Sequence, residues 1–208
     1  MQVAHRSEIG HRRERNEDAL LVDDSRPLFV VADGMGGHPA GHVASQVAVE
    51  SLDASLPASE LTPHDDRLMK TLSDALRAAH GAIHEDAERE PSREGMGTTA
   101  VVATLGQSPP LLTFAHVGDS RAYLFRGGEG RQLTHDHTRG VLFGRMLTQA
   151  LGTPGPIEPE AAEIELAPGD HVLLCTDGLT DMVPDDELAD IMAGPGSVQD
   201  CCDELVKT

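Results

Sequence analysis

Aromatic residues are nearly missing from this chain: they make up 2% of its 208 residues, with no tryptophan and one tyrosine, Tyr123. A core must therefore be built from Val, Leu, Ile, Ala and Met, and the length allows one large domain or two small ones. Lysine is scarce as well, with only Lys70 and Lys207, and the 35 acids outweigh 16 Lys and Arg to leave a net charge of −19. Long-range repulsion at that charge argues against nucleic acid and anionic membrane as partners. The three cysteines, Cys175, Cys201 and Cys202, fit neither a disulfide framework nor the C-x-x-C spacing of a zinc site. A reducing, cytoplasmic setting is expected. No apolar run approaches the ~18 residues of a membrane span. The stretch "MQVAHRSEIGHRRERNEDA" has no apolar core of the kind a signal peptide needs.

What is present is a succession of short patterned segments. "ALLVDDSRPLFVVAD" (Ala19 to Asp33) reads as two strands joined by a turn at Asp23 to Pro27. "PAGHVASQVAVESLDASL" reads as a helix with Pro39 in its first turn and Val43, Val47 and Leu52 on one stripe. A second helix is expected from about Asp65 to Glu90, with Leu68, Leu72, Ala75, Leu76, Ala79 and Ile83 on its apolar face and Pro91 ending it. Three strands follow, at Gly97 to Gly106, Pro110 to Gly118 and Ser120 to Gly128, expected to be consecutive and antiparallel with a tight turn at Gly118-Asp119 joining the last two. "EIELAPGDHVLLCTD" gives two more strands around Pro168-Gly169, and the remainder reads as two short helices. Strands, two helices, strands and helices in that order indicate an antiparallel α+β domain.

Acids collect where these elements end: Glu17 and Asp18 in "RNEDA", Asp33 in "VVADGMGG", Asp119 in "HVGDSRAY", and Asp177 and Asp181 in "CTDGLTD". Strand ends meet at one edge of a sheet, and carboxylates gathered there repel each other unless they hold cations. Such hard oxygen donors suit Mg²⁺ or Mn²⁺ better than Zn²⁺. The glycine after Asp33 leaves room for an ion to reach the Gly34 carbonyl. A divalent metal in such a place lowers the pKa of bound water, and two together can clamp a phosphate. A single Asp-Gly is first of all a turn signal; two of them, each after an apolar run and beside other acids, point to a metal centre.

The blocks "RERNEDA", "VVADGMGGHPAGHVAS", "GMGTTAVVATL", "FAHVGDSRAYLFR", "LTHDHT", "LTQALG" and "LLCTDGLTD" occur in the order found in bacterial metal-dependent protein serine/threonine phosphatases of type 2C, which the chain resembles from about Gly10 to Val206. The resemblance implies a four-layer α/β/β/α sandwich, two antiparallel sheets flanked by helices, as one domain over residues 1–208. It implies that Asp33 bridges two Mn²⁺ or Mg²⁺ ions, that Gly34 gives a backbone carbonyl, and that Asp177 is a further ligand. Asp18 would act near the metals through water, and Asp119 would hold a third ion. Arg13, in the spacing R-x-x-N-E-D, resembles the arginine that clamps the substrate phosphate, a task suited to its planar fork. His38 is the counterpart of a general acid for the leaving serine or threonine oxygen. His42 stands where the family usually has an acid and receives no role. The implied reaction is in-line attack of metal-activated water on phosphoserine or phosphothreonine of a protein, with no phosphoenzyme. Implied partners are phosphorylated proteins, substrates of a serine/threonine kinase, with the phosphatase itself a monomer.

Two departures from that pattern carry expectations. Only "RGVLFGR" (Arg139 to Arg145) separates Thr138 from Met146, where the family usually has a longer flap, so a more open site is expected. The family's closing Asp-Asn block and last strand are absent, the sequence stopping at "DELVKT", which leaves either a fragment or a relative with a weakened metal site. Asp181 is a candidate replacement for the missing acid. Competing readings are an inactive pseudophosphatase or phosphoprotein-binding module, and a histidine-based metallohydrolase using His38, His42 and the "HDH" of His135 to His137.

Overall fold

The structure, a computed structural model, describes residues 1–10, 15–35, 40–61, 67–107, 110–141 and 144–207. It opens with the expected hairpin, β1 (Asp18–Asp23) and β2 (Leu28–Asp33), paired antiparallel so that Asp18 lies opposite Asp33. Two helices follow, α1 (Gly41–Ser55) and α2 (Leu68–Arg89). Then come β3 (Ala100–Gln107), β4 (Pro110–Val117), β5 (Arg121–Arg126), β6 (Glu129–Gln132), β7 (Thr138–Val141), β8 (Gly144–Leu147), β9 (Glu160–Glu165) and β10 (His171–Cys175). A one-turn helix α3 (Asp177–Thr180) precedes α4 (Asp185–Met192) and α5 (Val198–Leu205).

Among the described residues the strands form a five-stranded sheet β1-β2-β3-β4-β9, a three-stranded sheet β10-β5-β6 and the separate ribbon β7-β8, all antiparallel. The central strands of the large sheet are covered on both faces, and alternation divides their side chains between two cores. Leu28, Val30, Ala32, Ala100, Val102, Ala115 and Val117 face α1 and α2. Ala103, Leu112 and Phe114 face the other way, against Val172 and Leu174 of the smaller sheet. The far side of that sheet carries Tyr123, Phe125 and Cys175, which pack on Leu188, Met192, Cys201 and Leu205 of α4 and α5. The order helices, sheet, sheet, helices is the four-layer sandwich that the resemblance implies.

The apolar face of α2 is the one its period indicates: Leu68, Leu72, Ala75, Leu76, Ala79 and Ile83 are all buried. Each leucine or isoleucine so buried contributes about 1.5–3 kcal/mol. In α1 the face is shifted from expectation. Ala44, Ala48 and Leu52 are buried, while Val43 and Val47 are only half-buried at its margin. Small side chains bring the helix axis close to the sheet and to α2, and the valines fill the flanks.

The turn at Gly118-Asp119 corrects the sequence reading. It does not join a hairpin, because β4 pairs with β3 and β9, whereas β5 pairs with β10 and β6. Here the chain passes from one sheet to the other. Gly118 makes the passage with φ +105°, and a Cβ at this position would lie 2.6 Å from Cβ of Thr99. Both sterics and backbone conformation require glycine there. The true hairpin of this region is β5-β6, turning at Gly127 and Gly128, both with positive φ, as a Gly-Gly pair between strands would suggest.

Candidate metal centre

Because the side chains of directly opposed residues in an antiparallel pair share a face, the Asp18↔Asp33 register puts two carboxylates side by side on the face of the β1-β2 hairpin turned away from α1 and α2. Like charges so placed repel, and the sequence nevertheless puts both there. Asp18 Oδ2 accepts a hydrogen bond of 3.1 Å from the hydroxyl of Thr176. That contact reaches from the large sheet to the segment that carries Asp177. Asp177 does not end a buried strand, as the sequence pattern suggests: β10 stops at Cys175, is largely half-buried, and Asp177 is the first residue of α3.

Asp33 is fixed through its backbone. Its carbonyl accepts from the Thr99 N–H at 2.9 Å and from the Thr98 hydroxyl at 2.8 Å. Its own N–H donates to the Thr99 hydroxyl at 3.2 Å. That hydroxyl lies 2.6 Å from the Ser120 hydroxyl, next to Asp119. One threonine thus connects the strand end holding Asp33 to the crossover holding Asp119. Gly34 continues the tie: its N–H donates to the Glu17 carbonyl at 3.1 Å. A Cβ on Gly34 would overlap the carbonyl of Gly41 and come within 2.7 Å of the Glu17 carbonyl oxygen. Only glycine fits where β1, β2 and the start of α1 meet.

Asp18, Asp33, Asp119 and Asp177 are all neither fully buried nor fully exposed, open enough to meet an ion from water. Among the described residues no three of them bring their oxygens within 4.8 Å of one another. The donor set, carboxylates and the backbone next to Gly34, fits Mn²⁺ or Mg²⁺ in kind. Arg13 and His38 lie outside the described residues. His42 does not join the acids; one of its ring nitrogens, Nε2, lies 2.7 Å from the Arg15 guanidinium. Asp181 is exposed beyond α3.

One cluster did not emerge from the motif reading. His116, His137 and Glu160 offer ligand atoms that all lie within 4.8 Å of one another. In the segment His135-Asp136-His137 the two histidines approach Glu160 while the aspartate meets Arg121. Asp136 binds Arg121 in a two-pronged ion pair at 2.9 and 2.7 Å, while His137 Nε2 approaches Glu160 to 3.3 Å and His135 Nδ1 to 3.5 Å. Sequence alone shows "HDH"; it does not show β4 and β9 adding His116 and Glu160 from opposite positions of a ladder. Burial, followed by the neighbouring His137, pushes the pKa of His116 down to about 4, so its ring is neutral near pH 7.

Comparison with known proteins agrees with this architecture. Residues 7–200 match the family described as "Protein phosphatase 2C". The chain is 34% identical over 217 residues to the serine/threonine phosphatase stp of Listeria welshimeri, covering 97% of this chain and 85% of that protein. It is 37% identical over 215 residues to the serine/threonine protein phosphatase PstP of Mycobacterium tuberculosis, covering 94% of this chain and 39% of that longer protein. A solved structure of the PstP catalytic domain in complex with 2 manganese ions superposes with a TM-score of 0.82 at 36% identity, over 97% of this chain and 88% of that one.

Proposed function

The chain belongs to the protein phosphatase 2C family, and from that premise we propose that Asp33, Gly34, Asp177 and Asp18 form the metal centre of its reaction, with Asp119 serving a further ion. The activity is metal-dependent hydrolysis of phosphoserine and phosphothreonine in proteins. The observation that carries the site assignment is the face-to-face pairing of Asp18 and Asp33 at the end of β1-β2, which sets two hard oxygen donors side by side.

When bound, Mn²⁺ or Mg²⁺ makes hydroxide available at neutral pH and neutralises developing charge on the phosphoryl oxygens. The chain's own residues do the positioning. Thr98 and Thr99 hold the Asp33 backbone from the β3 side. Gly34 admits the close approach of β1 and α1. Thr176 holds one Asp18 oxygen in place from the α3 side. Arg13 is assigned to the non-bridging phosphate oxygens and His38 to protonation of the leaving seryl or threonyl oxygen, both from their places in the family's motifs. Two ions are assigned to the main centre. The β7-β8 ribbon takes the place of a flap in this reading and leaves the site open to varied phosphopeptides. The remaining assignments are phosphoproteins made by a serine/threonine kinase as substrates, a monomeric state and a cytoplasmic setting. Three unpaired cysteines support the last, and among the described residues no helix is long and apolar enough to cross a membrane.

Asp33→Asn tests the assignment through metal binding and fold together. Asp33→Asn keeps the size of the side chain and removes its charge, so Mn²⁺ binding followed by electron paramagnetic resonance weakens by ~10-fold or more while the circular dichroism of the metal-free protein stays parental. Unchanged Mn²⁺ binding removes Asp33 from the centre.

A further inference from the structure

Buried polar atoms normally find a partner, and those that do not need an explanation such as an ion. Three such atoms occur together here. Both ring nitrogens of His116 and Nε2 of His137 are buried without a hydrogen bond. Both residues are more than nine-tenths buried, with His116 1% and His137 7% exposed. Their rings stack with centroids 4.7 Å apart, and Glu160 stands at their edge with Oε1 3.3 Å from His137 Nε2 and Oε2 3.7 Å from His116 Nε2. The separations of 3.3 and 3.7 Å lie on either side of the ~3.4 Å between donors of a tetrahedral ion with bonds near 2.1 Å.

We propose that His116, His137 and Glu160 form a second metal site, chemically distinct from the carboxylate centre and selective for a borderline transition ion such as Zn²⁺ or Co²⁺. Two imidazoles and one carboxylate favour such ions over Mg²⁺ and Mn²⁺, which prefer all-oxygen sites. Three protein donors leave a fourth position for water. Glu160, half-exposed, and His135, almost fully exposed, provide the entry from solvent.

The site is wired to the sheet crossover. His137 Nδ1 accepts a hydrogen bond of 3.2 Å from the Gly118 N–H, and the His137 N–H donates to the Gly118 carbonyl at 3.0 Å. A neutral ring that accepts at Nδ1 carries its proton on Nε2. An ion can take the Nε2 lone pair only if that proton moves to Nδ1, where it faces the Gly118 N–H and the bond is lost. The proton count is unchanged; one of the two clamps on the Gly118-Asp119 turn is exchanged for a metal bond. On the reading of Asp119 as a ligand given above, filling this site therefore weakens binding of the further hard ion.

Cobalt is the probe, because its visible absorption on nitrogen and oxygen ligands distinguishes such a site from hexahydrate-like oxygen coordination. Co²⁺ is titrated into the metal-free full chain, into Asp33→Asn and into Glu160→Gln; the last removes the anionic donor at a half-exposed position that does not open the core. The expected result is a band that saturates at one equivalent in the parent and in Asp33→Asn, resists excess Mg²⁺, yields to Zn²⁺, and needs at least ~10–100-fold more Co²⁺ in Glu160→Gln. A band absent from the parent, lost in Asp33→Asn, or unchanged in Glu160→Gln overturns the proposal. Mn²⁺-dependent turnover of a phosphopeptide by the same preparations reports separately on the phosphatase centre, so failure of one reading is not mistaken for failure of the other.

Discussion

Thr99→Val removes one oxygen and keeps the shape of the side chain, at a point where two halves of the proposed metal centre are joined. The hydroxyl receives the Asp33 N–H at 3.2 Å and meets the Ser120 hydroxyl at 2.6 Å, with Thr99 and Ser120 both fully buried. In antiparallel pairing the N–H and C=O of one residue point the same way. Since the Asp33 carbonyl goes to the Thr99 N–H, the Asp33 N–H has the Thr99 side chain as its partner on that edge. Each lost bond costs about 1 kcal/mol net, and a polar group left buried without a partner costs ~1–3 kcal/mol. The expected loss is therefore about 3–5 kcal/mol, a large share of a stability of ~5–15 kcal/mol. Urea denaturation of the metal-free protein measures it, with an unchanged m-value showing that the denatured state is the same. Thr99→Ser keeps the hydroxyl and serves as the control. The variant also raises the Mn²⁺ concentration needed for half-maximal phosphopeptide hydrolysis, because Asp33 and Asp119 lose their common support. A Thr99→Val protein within ~0.5 kcal/mol of Thr99→Ser and with the same Mn²⁺ dependence refutes this reasoning.

Gly34→Ala places a methyl group against the carbonyls of Gly41 and Glu17, which are backbone and cannot swing aside. It is expected to cost at least ~2 kcal/mol in denaturant unfolding and to abolish Mn²⁺-dependent turnover; near-parental activity would show that the hairpin and α1 are not held at this spacing. Acid exposes the state of His116. Its folded pKa of about 4 lies below the unfolded value of 6.5, so the unfolded chain binds the extra proton first and stability is lost as pH falls from about 6.5 towards 4. The loss from this group is on the order of 3 kcal/mol. His137, Glu160 and Asp136 act on the same ring, so the diagnostic is the difference from His116→Asn, whose stability should decline less over that window. Parallel curves would mean that His116 is not held neutral.

The backbone frame of the candidate site was legible because it is local. The apolar run ending in Asp33-Gly34, the hairpin that sets Asp18 opposite Asp33, and the buried face of α2 all follow from period and turn chemistry within about twenty residues. The resemblance supplied the sandwich. What escaped depends on pairing between distant strands. Gly118-Asp119 looks like a hairpin turn in one dimension, and only the pairing of β4 with β9 and of β5 with β10 makes it a crossover. Thr99 reads as one more β-branched strand residue until Ser120 and Asp33 are folded onto it. His116 and Glu160 are more than forty residues apart, and nothing in either segment announces the other. α3 was hidden for a different reason: a single turn is too short to show a helical period.

The central claim is that acids at these strand ends hold the divalent ions of a protein phosphatase. The most direct test is hydrolysis of a phosphothreonine peptide by this chain with Mn²⁺, after chelation, and after Mn²⁺ is restored. The account predicts phosphate release that stops with chelator, returns with Mn²⁺, and falls by ~100-fold or more in Asp33→Asn. Turnover that persists through chelation, or that Asp33→Asn leaves intact, would contradict it.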